Sequence, residues 1–263
     1  MYGDVHADLL RRLRPAPLLI PLLLAASLAA PAAPAAASAA AARVLRDWPC
    51  QGCLVVVPPK VRRHAPLLVA LHGDEGDPGL VASMWGPVAA ARGVVLFAPQ
   101  CPTAEGCRFA NGASATNSWW GWLQSGGQYD DDWIGRETRL VQQRFAVDPR
   151  REYLEGWSGG ADFLGWYALR HATRFAAAAF VAGGVPYSSS CPSHALPAFF
   201  LGGDADFRTA SGQPAQVRAI LDRCGSPTEN VVVPGADHQA AIMSLQTQSR
   251  GSEILRWLLR HHR

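Results

Sequence analysis

The stretch Tyr153-Leu154-Glu155-Gly156-Trp157-Ser158-Gly159-Gly160 decides the fold. Its second half fits the pattern Gly-x-Ser-x-Gly, a string that a glycine-rich chain also produces by chance. The context separates the two readings. Tyr153–Glu155 is a strand candidate, and Ala161–His171 behind the motif reads as a helix. A sharp turn between a strand and a helix lifts a serine hydroxyl above the edge of a sheet, and side chains in place of the glycines would collide with neighbouring backbone. Ser158 is the candidate nucleophile; the bland alternative is a glycine-rich connection with an incidental serine.

Working outward, short apolar runs alternate with longer helix-like segments. Leu54–Val57, Leu67–Leu71, Val94–Ala98, Phe175–Ala182, Ala198–Leu201 and Val231–Val233 read as strands. Leu80–Arg92, Asp130–Phe145, Gln213–Cys224 and Ser249–His261 read as helices, with Gly93 ending the first and acids opening the second. Asp148-Pro149 reads as a turn. Strands that are apolar on both faces and alternate with helices predict an α/β fold, a mostly parallel central sheet with helices on both faces. Gly106–Tyr129 interrupts the alternation as a long loop carrying Trp119, Trp120 and Trp122. These tryptophans, with Trp157, are candidate substrate-binding residues, and Trp85, Tyr187 and Phe207 are weaker additions. The alternative is that they pack the loop onto the domain.

A serine hydroxyl needs a base to take its proton. In this architecture the acid and then the base follow the serine along the chain. His171 lies late in a helix, His261 and His262 end the chain, and His194 precedes the strand that should deliver the acid. His238, in a loop after Val231–Val233, is the base candidate. Asp204 and Asp206 both follow the strand Ala198–Leu201, and spacing does not choose between them. The oxyanion donors are expected to be the backbone N–H of Gly159 and that of Asp74, at the strand exit Leu71-His72-Gly73-Asp74. The Asp74 carboxylate must then point away from the oxyanion.

Leu71-His72-Gly73, Asp148-Pro149-Arg150 with Tyr153 and Gly156–Gly160, and Phe175-Ala176-Ala177 with Ala182-Gly183-Gly184 resemble secreted α/β-hydrolase serine esterases, in particular the polyhydroxybutyrate depolymerase and feruloyl esterase-like group. The resemblance covers roughly residues 50–260. It implies the α/β-hydrolase fold, a Ser-Asp-His triad, an acyl-enzyme, a small or polymeric ester as substrate, and no cofactor or metal. The family's acid commonly closes an H-G-x-x-D stretch, which here aligns with Gly202–Asp206 and implies Asp206. Two other readings stand beside it: a serine peptidase on the same scaffold, and an inactive exported binding protein.

Composition sets the outer limits. The chain has 263 residues and a formal charge of +3, too little for a protein that works through phosphate contacts, so nucleic acid is not an expected partner. Arg11, Arg12 and Arg14 precede the apolar run Leu18–Ala30 and an Ala/Pro/Ser tract, which reads as a cleaved export signal over residues 1–42. That leaves one catalytic domain, 43–263, secreted or periplasmic, with no stable membrane insertion. Six cysteines follow the signal, an even count that favours disulfides in an exported chain. Proximity suggests Cys50–Cys53, Cys101–Cys107 and Cys191–Cys224. A redox role for Cys50-Gln51-Gly52-Cys53 lacks the strand-to-helix setting it needs, and His64 alone does not complete a zinc site there.

Overall fold

Ala65-Pro-Leu-Leu-Val-Ala-Leu71 is apolar throughout and buried throughout, as a strand at the centre of a covered sheet must be. In the computed structural model, which describes residues 41–111, 114–119, 121 and 132–263, it forms β3. Alternate residues serve opposite faces. Leu67, Val69 and Leu71 join one apolar cluster with Trp119, Trp133, Phe163, Tyr167 and Val217. Leu68 and Ala70 join the other with Val81, Met84, Trp85, Phe199, Ile254 and Leu258. Each fully buried Leu or Val of this kind contributes about 1.5–3 kcal/mol relative to exposure.

Around β3 the strands are β1 (Arg43–Arg46), β2 (Leu54–Val57), β4 (Val95–Ala98), β7 (Val147–Trp157), β8 (Ala177–Val181), β9 (Ala198–Gly203) and β10 (Thr228–Val233). They form one eight-stranded sheet ordered β1-β2-β4-β3-β7-β8-β9-β10. β1 and β2 pair antiparallel at one edge, and β2 meets β4 antiparallel. From β4 to β10 every pairing is parallel. Parallel neighbours require crossovers. The helices that supply or flank them are α1 (Pro78–Ala91), α2 (Trp133–Phe145), α3 (Gly159–Arg170), α4 (Phe207–Ala210), α5 (Gln213–Arg223), α6 (His238–Met243) and α7 (Gln248–Leu258). α1 and α7 cover one face; α2, α3 and α5 cover the other. This is the expected α/β architecture.

Several boundaries differ from expectation. α1 starts at Pro78 because Asp77 caps it, accepting from Gly79 N–H at 2.6 Å and Leu80 N–H at 3.1 Å. Asp148-Pro149 is not a free turn: β7 runs through it as an irregularity, pairing Val147 with Ala65 and Glu152 with Leu67. The expected long loop opens with a two-stranded hairpin, β5 (Arg108–Asn111) and β6 (Ser114–Asn117). β1 has no apolar signature and was not foreseen; it is held by main-chain pairing to β2. The expected export signal, residues 1–42, lies outside the described residues up to residue 40. Among the described residues no helix is long and apolar enough to cross a membrane.

The cysteines pair as Cys50–Cys53, Cys101–Cys107 and Cys191–Cys224. On β7, Glu152 is buried but paired: it accepts from Arg174 Nε at 2.8 Å and from Gln142 Nε2 at 2.5 Å.

Candidate active site

Four parallel strands, β3, β7, β9 and β10, deliver the candidate residues from their carboxyl ends, where open α/β sheets collect reactive groups. Ser158 stands between β7 and α3 with φ 49° and ψ −123°, a left-handed conformation that a side chain adopts only under constraint. Packing supplies that constraint. A Cβ on Gly160 would come within 2.5 Å of the His72 carbonyl oxygen and 2.9 Å of that of Leu71, so α3 can approach β3 this closely only with glycine there. Ser158 N–H donates to the Val181 carbonyl at 2.9 Å, tying the turn to β8.

His238 Nε2 lies 2.9 Å from Ser158 Oγ, and His238 Nδ1 lies 3.0 Å from Asp206 Oδ1. The serine O–H can donate to the first nitrogen while the second donates to the carboxylate. Asp206 is fully buried, and its Oδ1 also accepts the Arg208 N–H at 2.9 Å. Asp204 does something else: its Oδ1 accepts the Gly235 N–H at 2.6 Å, which joins the β9 and β10 exits. So of the two aspartates, Asp206 faces the histidine. His238 is not in a loop but is the first residue of α6, with Asp237 capping the helix through Ala240 N–H at 2.8 Å.

The strand exit after β3 is held as tightly. Cys101 N–H donates to His72 Nε2 at 3.2 Å, so that nitrogen is bare and the ring proton sits on Nδ1, which donates to the Gly73 carbonyl at 2.7 Å. Burial pulls the His72 pKa below the ordinary imidazole value against the Gly73 hydrogen bond, so the ring stays neutral. The end of β6 completes the clamp: Glu75 N–H donates to the Asn117 carbonyl at 3.0 Å and Asn117 Nδ2 to the Gly76 carbonyl at 2.7 Å.

The N–H of Gly159 opens α3 and has no helical acceptor; among the described residues neither it nor the N–H of Asp74 meets a protein carbonyl. The Asp74 side chain lies against Gly159, so the two stretches carrying these donors touch. Ser118 Oγ donates to Asp74 Oδ1 at 2.6 Å. Arg208 lies 3.8 Å from Asp74 Oδ2 through Nη2 and forms an ion pair with Asp162 through Nη1. Sequence reasoning missed His72 as a clamp, Ser118, Asp162 and Arg208; the one available signal was an arginine two residues after the acid.

The tryptophans divide. Trp119 and Trp157 are 0% and 3% exposed and belong to the two core clusters. Trp119 packs on His72, with ring centroids 5.4 Å apart, and on Phe163 at 5.7 Å. Trp120 and Trp122 lie outside the described residues. Trp85 is also buried, on the far side of the sheet from α3, while Phe207 is 64% exposed with its ring 4.8 Å from that of His238. Tyr187 is exposed as well.

Glu155, one residue before the motif, is fully enclosed, and burial pushes its carboxyl pKa well above the usual range. The Trp85 indole N–H lies close enough to oppose that push slightly, yet outside hydrogen-bond geometry.

No family model matches the chain. It is 25% identical over 154 residues to a bifunctional acetylxylan esterase/xylanase of Neocallimastix patriciarum, a match covering 58% of this chain and 21% of that protein. The chain thus spans about a fifth of that relative's length. Among solved structures it resembles a thermostable esterase, with a TM-score of 0.57 and 20% identity over 85% of this chain and 63% of that one. It also resembles an S-formylglutathione hydrolase from Agrobacterium tumefaciens, with a TM-score of 0.62 and 16% identity over 79% of this chain and 88% of that one. These likenesses identify the shared scaffold.

Proposed function

On an α/β-hydrolase fold whose Ser158, His238 and Asp206 lie in one hydrogen-bonded line, we propose that this chain is an exported serine hydrolase of carboxylic esters. The observation that carries the reading is that line, ending on a serine whose backbone is held in a left-handed turn. His238 takes the Ser158 proton as Oγ attacks the ester carbonyl. The N–H groups of Gly159 and Asp74 receive the charge that develops on the carbonyl oxygen. Collapse expels the alcohol, protonated by His238, and leaves an acyl-serine. Water, deprotonated by the same imidazole, then releases the acid and restores the serine. Asp206 holds the ring with its proton on Nδ1 and stabilises the imidazolium.

Export through a leader in residues 1–42 fits the three disulfides, which persist in oxidising compartments. The acetylxylan esterase/xylanase relative makes acetyl esters the first members of a test panel. Purified protein should release p-nitrophenol from p-nitrophenyl acetate and leave peptide p-nitroanilides intact. A fluorophosphonate probe should label Ser158. Preference for the anilides would turn the reading to a peptidase, and absence of labelling in the folded protein would turn it to a binding protein.

A further inference from the structure

An acidic side chain beside an oxyanion site needs an explanation, because a carboxylate there opposes the charge that the site exists to stabilise. Asp74 is such a residue: its carboxylate lies so close to Gly159 that a Cβ on that glycine would overlap it. A second carboxylate, Asp162, sits in the first turn of α3, where its Oδ1 accepts the Gly184 N–H at 2.8 Å. One cation faces both. The Arg208 guanidinium pairs with Asp162 Oδ2 and stands 3.8 Å from Asp74 Oδ2, while its own backbone N–H holds Asp206 Oδ1 at 2.9 Å. Arg208 therefore touches the oxyanion loop, the nucleophile helix and the acid loop at once.

We propose that Arg208 is a positioning residue for the ester hydrolysis described above: it neutralises Asp74 and Asp162 so that the tetrahedral oxyanion can form beside them. The inference rests on the serine esterase reading. Among the described residues, the groups that face the guanidinium are Asp74 from the β3 exit, Asp162 from α3 and the Phe207 ring, 5.4 Å from Cζ, from α4. Because an arginine stays charged at any working pH, the cation is permanent. Charge stabilisation of this kind acts on the transition state more than on bound substrate, so its loss falls on kcat.

The test is a double-mutant cycle on p-nitrophenyl acetate. Arg208→Gln should lower kcat by about 10–100-fold with KM changed less than threefold, a smaller loss than the roughly 100–1000-fold of removing an oxyanion donor itself. Arg208→Lys, which keeps the charge, should retain at least a third of kcat. Adding Asp74→Asn to Arg208→Gln should recover tenfold or more, because the unopposed carboxylate is then gone. A merely structural arginine would lose further activity when its second partner is removed. Binding of a trifluoromethyl ketone, whose serine adduct carries the oxyanion, should weaken in parallel with kcat. Should Arg208→Gln fail to fold, Arg208→Lys and the double variant still decide: a folded Lys variant that loses tenfold or more in kcat, or a folded double variant more than tenfold below wild type, would overturn the proposal. Unchanged kcat in Arg208→Gln, or no recovery in the double variant, would do the same. Ser158→Ala run alongside separates the two levels, since hydrolysis that survives it sinks the esterase reading itself.

Discussion

The two halves of the site are held by different means. At the β7 exit, where the nucleophile turn packs on β3, close main-chain contact does the holding: Ser158 is forced to φ 49°, and Gly160 lies beneath the His72 carbonyl. At the β9 and β10 exits side chains do it: Asp204 reaches Gly235 N–H, Asp206 reaches Arg208 N–H, and Asp237 caps α6. A half built by packing tolerates no added bulk. A half built by hydrogen bonds tolerates no lost acceptor, yet accepts changes of size more readily.

The largest effect falls on the atom that both halves converge on. Ser158→Ala should lower kcat by about 10⁶-fold while the melting temperature stays within a few degrees, measured by p-nitrophenyl ester turnover and thermal unfolding. Activity retained by this variant would dissolve the comparison. Next, Asp206→Asn should cost about 10⁴-fold in kcat with little change in KM, because the ring proton then sits on the wrong nitrogen. Asp204→Asn should cost less than tenfold; equal losses at the two positions would mean that the acid half works as one unit.

The disulfides give a third contrast, because stability and activity should part company. Bridging residues 33 apart, Cys191–Cys224 closes the longer loop, so replacing both with serine should destabilise by roughly 3–4 kcal/mol while kcat of the folded fraction holds. Cys101–Cys107 spans 6 residues, for which the same entropy estimate is roughly 2 kcal/mol. Its removal should nonetheless lower kcat several-fold, since Cys101 N–H holds His72 and through it the Gly73 carbonyl. Denaturant melts paired with initial rates would show whether the two effects separate.

The smallest effect concerns Glu155. Its folded pKa is raised, so above the usual glutamate range the folded state retains a proton that the unfolded chain has released. Its contribution to stability is complete below the unfolded pKa and is lost as pH rises through the folded one, at on the order of 1 kcal/mol per pH unit. Glu155→Gln should therefore raise the melting temperature at pH 8 and leave it nearly unchanged at pH 4. His72 runs the other way: with its folded pKa lowered, stability falls as pH drops below the ordinary imidazole value.

The packed half was the more legible in sequence. Glycine spacing around Ser158 and the chain order of serine, acid and base are one-dimensional signals, and they located the elbow, the β9 exit and His238. Asp204 and Asp206 share a loop, so only side-chain direction divides them, and direction is set by β10 and Gly235 from elsewhere in the chain. The two readings of Trp119 stay open in sequence for a related reason: a loop rich in polar residues disguises an aromatic that packs against His72 and Phe163. Arg208 carried only its place two residues after the acid as a signal, because its role exists only once Asp74 and Asp162 have been brought to it.

The bridges pair the first cysteine with the second, the third with the fourth and the fifth with the sixth. Six cysteines allow 15 pairings, and this is the one in which every thiol's partner is its next neighbour in order of emergence. A chain threaded N-terminus first into an oxidising space would complete each bridge before the next pair arrives. Oxidative maturation can then proceed without reshuffling, so omitting a disulfide isomerase while the chain is threaded into an oxidising compartment should delay the yield of active protein little.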